Sequence, residues 1–271
     1  YAGQPFTVTV TAMTGLPTPT RTVNYDGSTL SPVLAKAVTL SDAANLGLGG
    51  FGSTSALAAS RFSLGIASTT APAYTYTDKR SAPGSLTLRA VDADGVSSSG
   101  YTEATMSLRS GRLVLFPVYG SEKTALSMPV QAQYWNGRTW VLNSLDTGCT
   151  VVPATSIVRA SYLSHQGSAT TAWTTTPSAL SLSGGIGSIS LSAPSPIGST
   201  GSVDIALNLG STAADASCLS SHPASTGASL AWLRSLNGSC ASTWNRDPAA
   251  RASFGIATPE TRKTVHVREL Y

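Results

Sequence analysis

Pro129-Val130-Gln131-Ala132-Gln133-Tyr134-Trp135-Asn136-Gly137-Arg138-Thr139-Trp140-Val141-Leu142 reads as two strand-like runs joined at Asn-Gly. Asn-Gly supplies the positive backbone angles of a tight hairpin turn, and between alternating runs it is the strongest short-range hairpin signal. Trp135 and Trp140 flank the turn. Five residues apart, they fall on opposite faces of regular strands, or they pack diagonally across the turn.

The same period-two alternation recurs outward in both directions. Phe6–Ala12, Ala37–Ser41, Ser85–Val91 and Thr105–Arg109 precede the hairpin, and Gly187–Pro194 and Gly201–Leu209 follow it. Alternation marks a half-buried strand. Thr22–Gly27, Arg61–Ile66, Arg112–Val118, Leu230–Leu233, Ala252–Ile256 and Thr264–Tyr271 are further expected strands, while residues 143–176 read as irregular. No helical periodicity runs beyond two turns, and only residues 42–60 and 211–217 have the alanine content for a short helix. Short strands at intervals of about 8–12 residues or more, divided by turn residues, predict an all-β fold. The expectation is two tandem β-sandwich (immunoglobulin-like) domains with little helix, 1–109 and 110–271.

Composition agrees with export. Hydrophobic residues make up 41% of the 271, but charged residues only 11%, against about 25% in an ordinary soluble domain. Ser, Thr, Gly and Asn supply the polarity instead. The formal charge is +4, yet the 13 Arg and 4 Lys never cluster by four, so the basic stripe of a nucleic-acid binder is missing. No apolar run approaches the roughly 18 residues that span a bilayer. The opening Tyr1-Ala2-Gly3-Gln4-Pro5 reads as a linker entering a strand, and the chain is expected to begin inside a longer exported protein.

Three cysteines occur. Cys218 and Cys240 bracket a short polar loop and are expected to pair, leaving Cys149; the alternative is three unpaired, small apolar side chains. No CxxC exists, and His165, His222 and His266 are scattered, so no zinc site is expected. Asp92-Ala93-Asp94-Gly95 reads as an acidic hairpin turn, because the twelve-residue calcium loop it could open does not continue.

From residue 110 on, the phrases Gly111-Arg112-Leu113-Val114-Leu115, Tyr119-Gly120-Ser121-Glu122, Tyr134-Trp135-Asn136-Gly137 with Trp140, then Asp146, Cys149 and Leu191-Ser192-Ala193-Pro194 occur in order. Gly201-Ser202-Val203-Asp204, Trp232-Leu233, Asp247–Ile256 and Arg268-Glu269-Leu270-Tyr271 complete the series. Together they resemble the C-terminal domain of the large MshQ-type surface proteins associated with mannose-sensitive haemagglutinin (type IV) pili, and residues 1–109 resemble a preceding immunoglobulin-like repeat. The resemblance implies an extracellular, surface-bound protein of a Gram-negative bacterium, with pilus or other cell-surface proteins as partners. It implies no catalytic residue and no cofactor. Members often carry an acidic loop where this chain has Asn237–Arg246. Here a cysteine stands in that loop, and a covalent clip in place of a metal is the expectation.

The patterns of a catalytic site are sparse in this sequence. No Gly-x-Ser-x-Gly elbow leads into a helix. Glu122 and Asp146 are the best carboxylate pair for a glycosidase, though a turn and an Asx-type cap explain them more simply. Trp140, Trp173 and Trp244 are candidates for stacking on a sugar, with core packing as the competing role. Tyr271 ends a strand that is either tied into a sheet or offered to a partner by strand addition. Arg251 and Glu269 are expected to pair between terminal strands. The chain is thus expected to be a non-catalytic adhesin region, or else a lectin-like module that binds surface glycans.

Overall fold

The computed structural model describes residues 1–27, 33–44 and 46–255. The expected strand at Thr264–Tyr271, with Glu269 and Tyr271, lies outside them. The fold is all-β and sandwich-like, with helical structure among the described residues confined to short 3-10 turns. Contacts divide the chain into two units: Tyr1–Gly111 together with the hairpin tip Tyr134–Val141, and Arg112–Gln133 together with the residues from Leu142 on.

The first unit contains β1 (Val8–Thr11), β2 (Val38–Asp42), β3 (Gly49–Gly50), β4 (Ala56–Leu57), β5 (Ile66–Thr69), β6 (Thr75–Tyr76), β7 (Gly84–Asp92) and β8 (Thr105–Leu108). A four-stranded antiparallel sheet runs β4-β2-β7-β8, and the pairs β1-β5 and β3-β6 stand apart from it. The alternation read in β2 and β7 is the burial pattern: Val38, Leu40, Leu86 and Leu88 point inward. They meet Val8, Phe51, Tyr74, Tyr76 and Leu108 in one cluster, and Leu57, Phe62 and Ala67 in a second. Asp92–Val96 is the structural turn expected: Asp92 Oδ1 accepts the amides of Asp94 and Val96 at 3.0 and 2.9 Å.

Two expected strands do not form here. Thr22–Gly27 has turn hydrogen bonds, with the Tyr25 amide donating to Thr22 O. Its side chains hold it instead: Tyr25 packs edge-on against Phe62 at 5.0 Å and donates to Asp92 Oδ2, while buried Asp26 accepts the Leu64 amide. Arg61–Ile66 fails because Leu64 and Gly65 take φ of 49° and 80°, which turns the chain and delays the strand to Ile66.

Burial pulls the Lys79 ammonium of this unit down to about 8. The folded state therefore releases that proton before the unfolded chain does, and stability rises as pH climbs from about 8 toward 10. Lys79→Met is expected to raise unfolding free energy at pH 7 by about 1–2 kcal/mol, the full shift being reduced by partial exposure. The gain should fade by pH 10. Melts of both proteins at pH 7 and 10 check this, and a pH-independent difference would refute the titration.

The second unit contains β9 (Gly111–Leu115), β10 (Val118–Gly120), β11 (Leu126–Trp135), β12 (Trp140–Leu142), β13 (Val151–Val152), β14 (Ile157–Ser164), β15 (Leu180–Ser181), β16 (Ile186–Leu191), β17 (Gly201–Leu207) and β18 (Ala249–Phe254), the hairpin tip excepted. One sheet runs β10-β18-β17-β14, with β10 parallel to β18 and the other pairs antiparallel. A second runs β12-β11-β16, with β9 also on β11, and β13 pairs β15. Leu126, Met128, Val130 and Ala132 of β11 alternate inward, and Ile189 and Leu191 of β16 lie with them in the core. Every residue of β17 except Asp204 is buried, as befits a strand covered on both faces.

The second unit departs from the expected strands at two further places. Residues 143–176 are not wholly irregular, since β14 crosses them. Leu230–Leu233 is no strand: Ala231–Leu233 is a 3-10 turn that seals Leu233 in the core and releases Arg234 at its end. Residues 211–217 form no helix either.

Candidate functional site

The loops after β17 converge on one buried carboxylate. Asp247 stands two residues before β18, and its side chain has no exposure. Arg234 forks onto it, with Nε to Oδ1 at 2.6 Å and an Nη to Oδ2 at 3.1 Å. The Leu209 and Ala216 amides donate to the same two oxygens at 3.2 and 2.6 Å. Four donors spend the oxygens that a metal would need. Asp247 therefore fastens the end of β17, the 211–227 loop and the Arg234 turn to the start of β18.

The expected covalent clip is present beside it. Cys218 and Cys240 are joined at an S–S distance of 2.02 Å across 22 residues. Gly238 lies inside that closure at φ 79°, and a Cβ there would stand 2.7 Å from Cys218 Cβ. Only glycine gives the turn and the close approach together. Cys149 is unpaired and exposed.

A cleft of about 220 Å³ opens against this bridge. Ala249 and Ala250 line it from β18, and Cys218, Leu219 and the Asn237–Ser239 loop line it from the other side. The Asp204–Arg251 pair stands in its wall. Asp204 and Arg251 face each other in register, and the guanidinium forks onto the carboxylate at 2.8 and 2.9 Å. Those hydrogen bonds raise the Arg251 pKa. Among the described residues the partner of Arg251 is Asp204, and Glu269, the partner expected for it, lies outside them; such a half-exposed pair fixes strand register more than it adds stability.

The tryptophans have three different surroundings. Trp173 is 3% exposed; its ring lies 4.9 Å from Tyr162 and 5.7 Å from Phe254, and Nε1 donates to Leu163 O. It is a core residue, and the stacking role assigned to it is corrected: its polar edge is satisfied and both faces are covered. Trp140 is half-buried at the hairpin tip, 5.6 Å from Trp135 with the rings tilted by 67°; the bond from Asn136 N to Thr139 O sets the two tryptophans opposite each other, so they pack straight across the turn and not diagonally. Arg109 lies over the neighbouring Tyr134 ring at 4.6 Å. Trp244 is half-buried in the loop before Asp247.

The carboxylates considered for catalysis are differently employed. Asp146 is buried and accepts both the amide and the hydroxyl of Thr150, at 3.2 and 2.6 Å. Glu122 stands at a turn, its carbonyl accepting the Gly198 amide. Sequence reasoning missed a second pair: buried Asp215 accepts from Ser217 N at 2.8 Å and lies 3.0 Å from His222 Nδ1. Their spacing of seven matches no repeating pattern that could have revealed them. Among the described residues no three of His, Cys, Asp and Glu gather as metal ligands, and no helix is long and apolar enough to cross a membrane.

No curated protein and no solved structure matches this chain. A family described as DUF6701, fourth domain, matches residues 109–270, more than half of the sequence. That stretch includes the hairpin, both sheets of the second unit, the disulfide and Asp247. The chain therefore belongs to the DUF6701 family and carries its fourth domain.

Proposed function

We propose that this chain is a non-catalytic region of an exported bacterial surface protein, a pilus-associated adhesin of the MshQ type, acting in attachment or assembly through its protein surfaces. The observation that carries the reading is how the polar chemistry is used. Asp247, Asp146, Asp204 and Glu103 are engaged by Arg234, Thr150, Arg251 and Arg89 in contacts that hold loops and strands. The disulfide suits an oxidising compartment, and the phrases that resemble MshQ-type proteins fall, but for the last residue Tyr271, within the family-matched residues. Light scattering of the purified chain, alone and mixed with major pilin, tests the proposal. Self-assembly or co-assembly supports it, and an inert monomer under both conditions counts against it.

A second reading, a carbohydrate-binding module, draws support from the cleft beside the disulfide and the half-buried indoles Trp135 and Trp140. A glycan array probes it directly.

A further inference from the structure

We infer that the cleft beside the Cys218–Cys240 bridge is a binding site for a single neutral sugar ring. The inference rests on the carbohydrate-binding reading and gives it a location.

Size comes first. At about 220 Å³ the cleft is smaller than the roughly 300–1,000 Å³ of sites for drug-sized ligands. It holds one ring, not a peptide or an oligosaccharide chain.

Charge comes next. The two carboxylates at the cleft, Asp204 and Asp247, are each matched by an arginine fork. No net charge remains there to select an anion or a cation. A charged guest would find no unmatched opposite charge there, and an uncharged one leaves both pairs intact.

The remaining polar groups are uncharged and unspent. Asn237 gives Nδ2 to Arg246 O at 2.9 Å, which fixes the amide while its Oδ1 accepts nothing among the described residues. The exposed Ser239 hydroxyl likewise makes no hydrogen bond among them. An amide oxygen and a hydroxyl on one loop offer an acceptor and a donor–acceptor to neighbouring hydroxyls. Arg251 keeps N–H groups beyond the two given to Asp204, and its side chain is 48% exposed.

The other lining is apolar and low. The side chains of Cys218, Leu219, Ala249 and Ala250 are carbon and sulfur alone. A pyranose has that same division, with hydroxyls around its edge and C–H groups on its face. The alanines leave the space open by having little side chain.

Saturation-transfer NMR on the full chain with glucose, galactose, mannose and N-acetylglucosamine, each separately, tests the assignment. At least one sugar is expected to show transfer, weakened tenfold or more in Ser239→Trp, which fills the cleft from an exposed loop position and leaves the melting temperature unchanged. Ser239→Ala is expected to weaken binding by a smaller factor. Transfer that survives Ser239→Trp overturns the cleft assignment while leaving the carbohydrate reading to the hairpin indoles. No transfer from any of the four sugars, with a blank glycan array, overturns both.

Discussion

Asp247→Ala is expected to lower unfolding free energy by about 3–5 kcal/mol, the cost of leaving half of a buried ion pair without its partner. Two penalties combine. The Arg234 guanidinium, mostly withdrawn from water, loses its only carboxylate among the described residues. The Leu209 and Ala216 amides lose their acceptor, and a buried unsatisfied donor costs about 1–3 kcal/mol. Denaturant titration followed by tryptophan fluorescence measures the loss. Asp247→Asn keeps the volume and one acceptor, so it should fall between the wild type and alanine and remain soluble if alanine does not. Adding Arg234→Met to Asp247→Ala removes the stranded cation but not the stranded amides. The double variant should therefore be more stable than the sum of its parts predicts, by about 1–2 kcal/mol. Strict additivity would show that Arg234 and Asp247 do not act as a pair.

Much of this fold is legible in the sequence because strand burial repeats every second residue and leaves a local trace. Val38 and Leu40, or Met128 and Val130, announce their sheet face to any reader of five consecutive residues. The hairpin is legible for the same reason, although its turn is wider than Asn-Gly alone suggests. Asn136 N donates to Thr139 O, and Asn136 Oδ1 accepts the amides of Arg138 and Thr139, so the side chain closes a four-residue loop. The strand β14 escapes notice because Ser161, at φ 52°, interrupts it and shifts the register between Ala160 and Leu163. A bulge breaks the alternation that detection depends on.

The site is less legible because its parts are distant in sequence. Asp247 draws its donors from positions 13, 31 and 38 residues away, and no local pattern encodes them. A short run such as Leu230–Leu233 looks like a buried strand for want of that information, whereas the chain needs a turn there to bring Arg234 round. The cleft is harder still. Its space comes from Ala249 and Ala250, residues with no chemistry to point at. Of its wall, only Cys218 is readable, through its pairing with Cys240 across a short closable loop.

That pair supports the second large effect. The Cys218→Ala/Cys240→Ala double variant is expected to lose about 3 kcal/mol, because a bridge across 22 residues withholds that much loop entropy from the unfolded chain. For a unit of this size the loss corresponds to a melting temperature lower by roughly 6–12 °C. Reductant should move the wild type by a similar amount and leave the double variant where it is. The sheets themselves should persist: β17 and β18 remain paired, and Asp247 still holds the 211–227 loop through Ala216. Increased proteolysis should therefore concentrate between residues 219 and 239. The single variants decide the mechanism. A cross-link needs both ends, so Cys218→Ala and Cys240→Ala should each lose nearly the full amount, and the double variant little more. If the cysteines stabilised by packing as separate apolar side chains, the half-buried Cys218 would account for most of the loss, the exposed Cys240 for little, and the two would add. Mass spectrometry finding both thiols free in the native protein, with a melt indifferent to reductant, would dispose of the cross-link altogether.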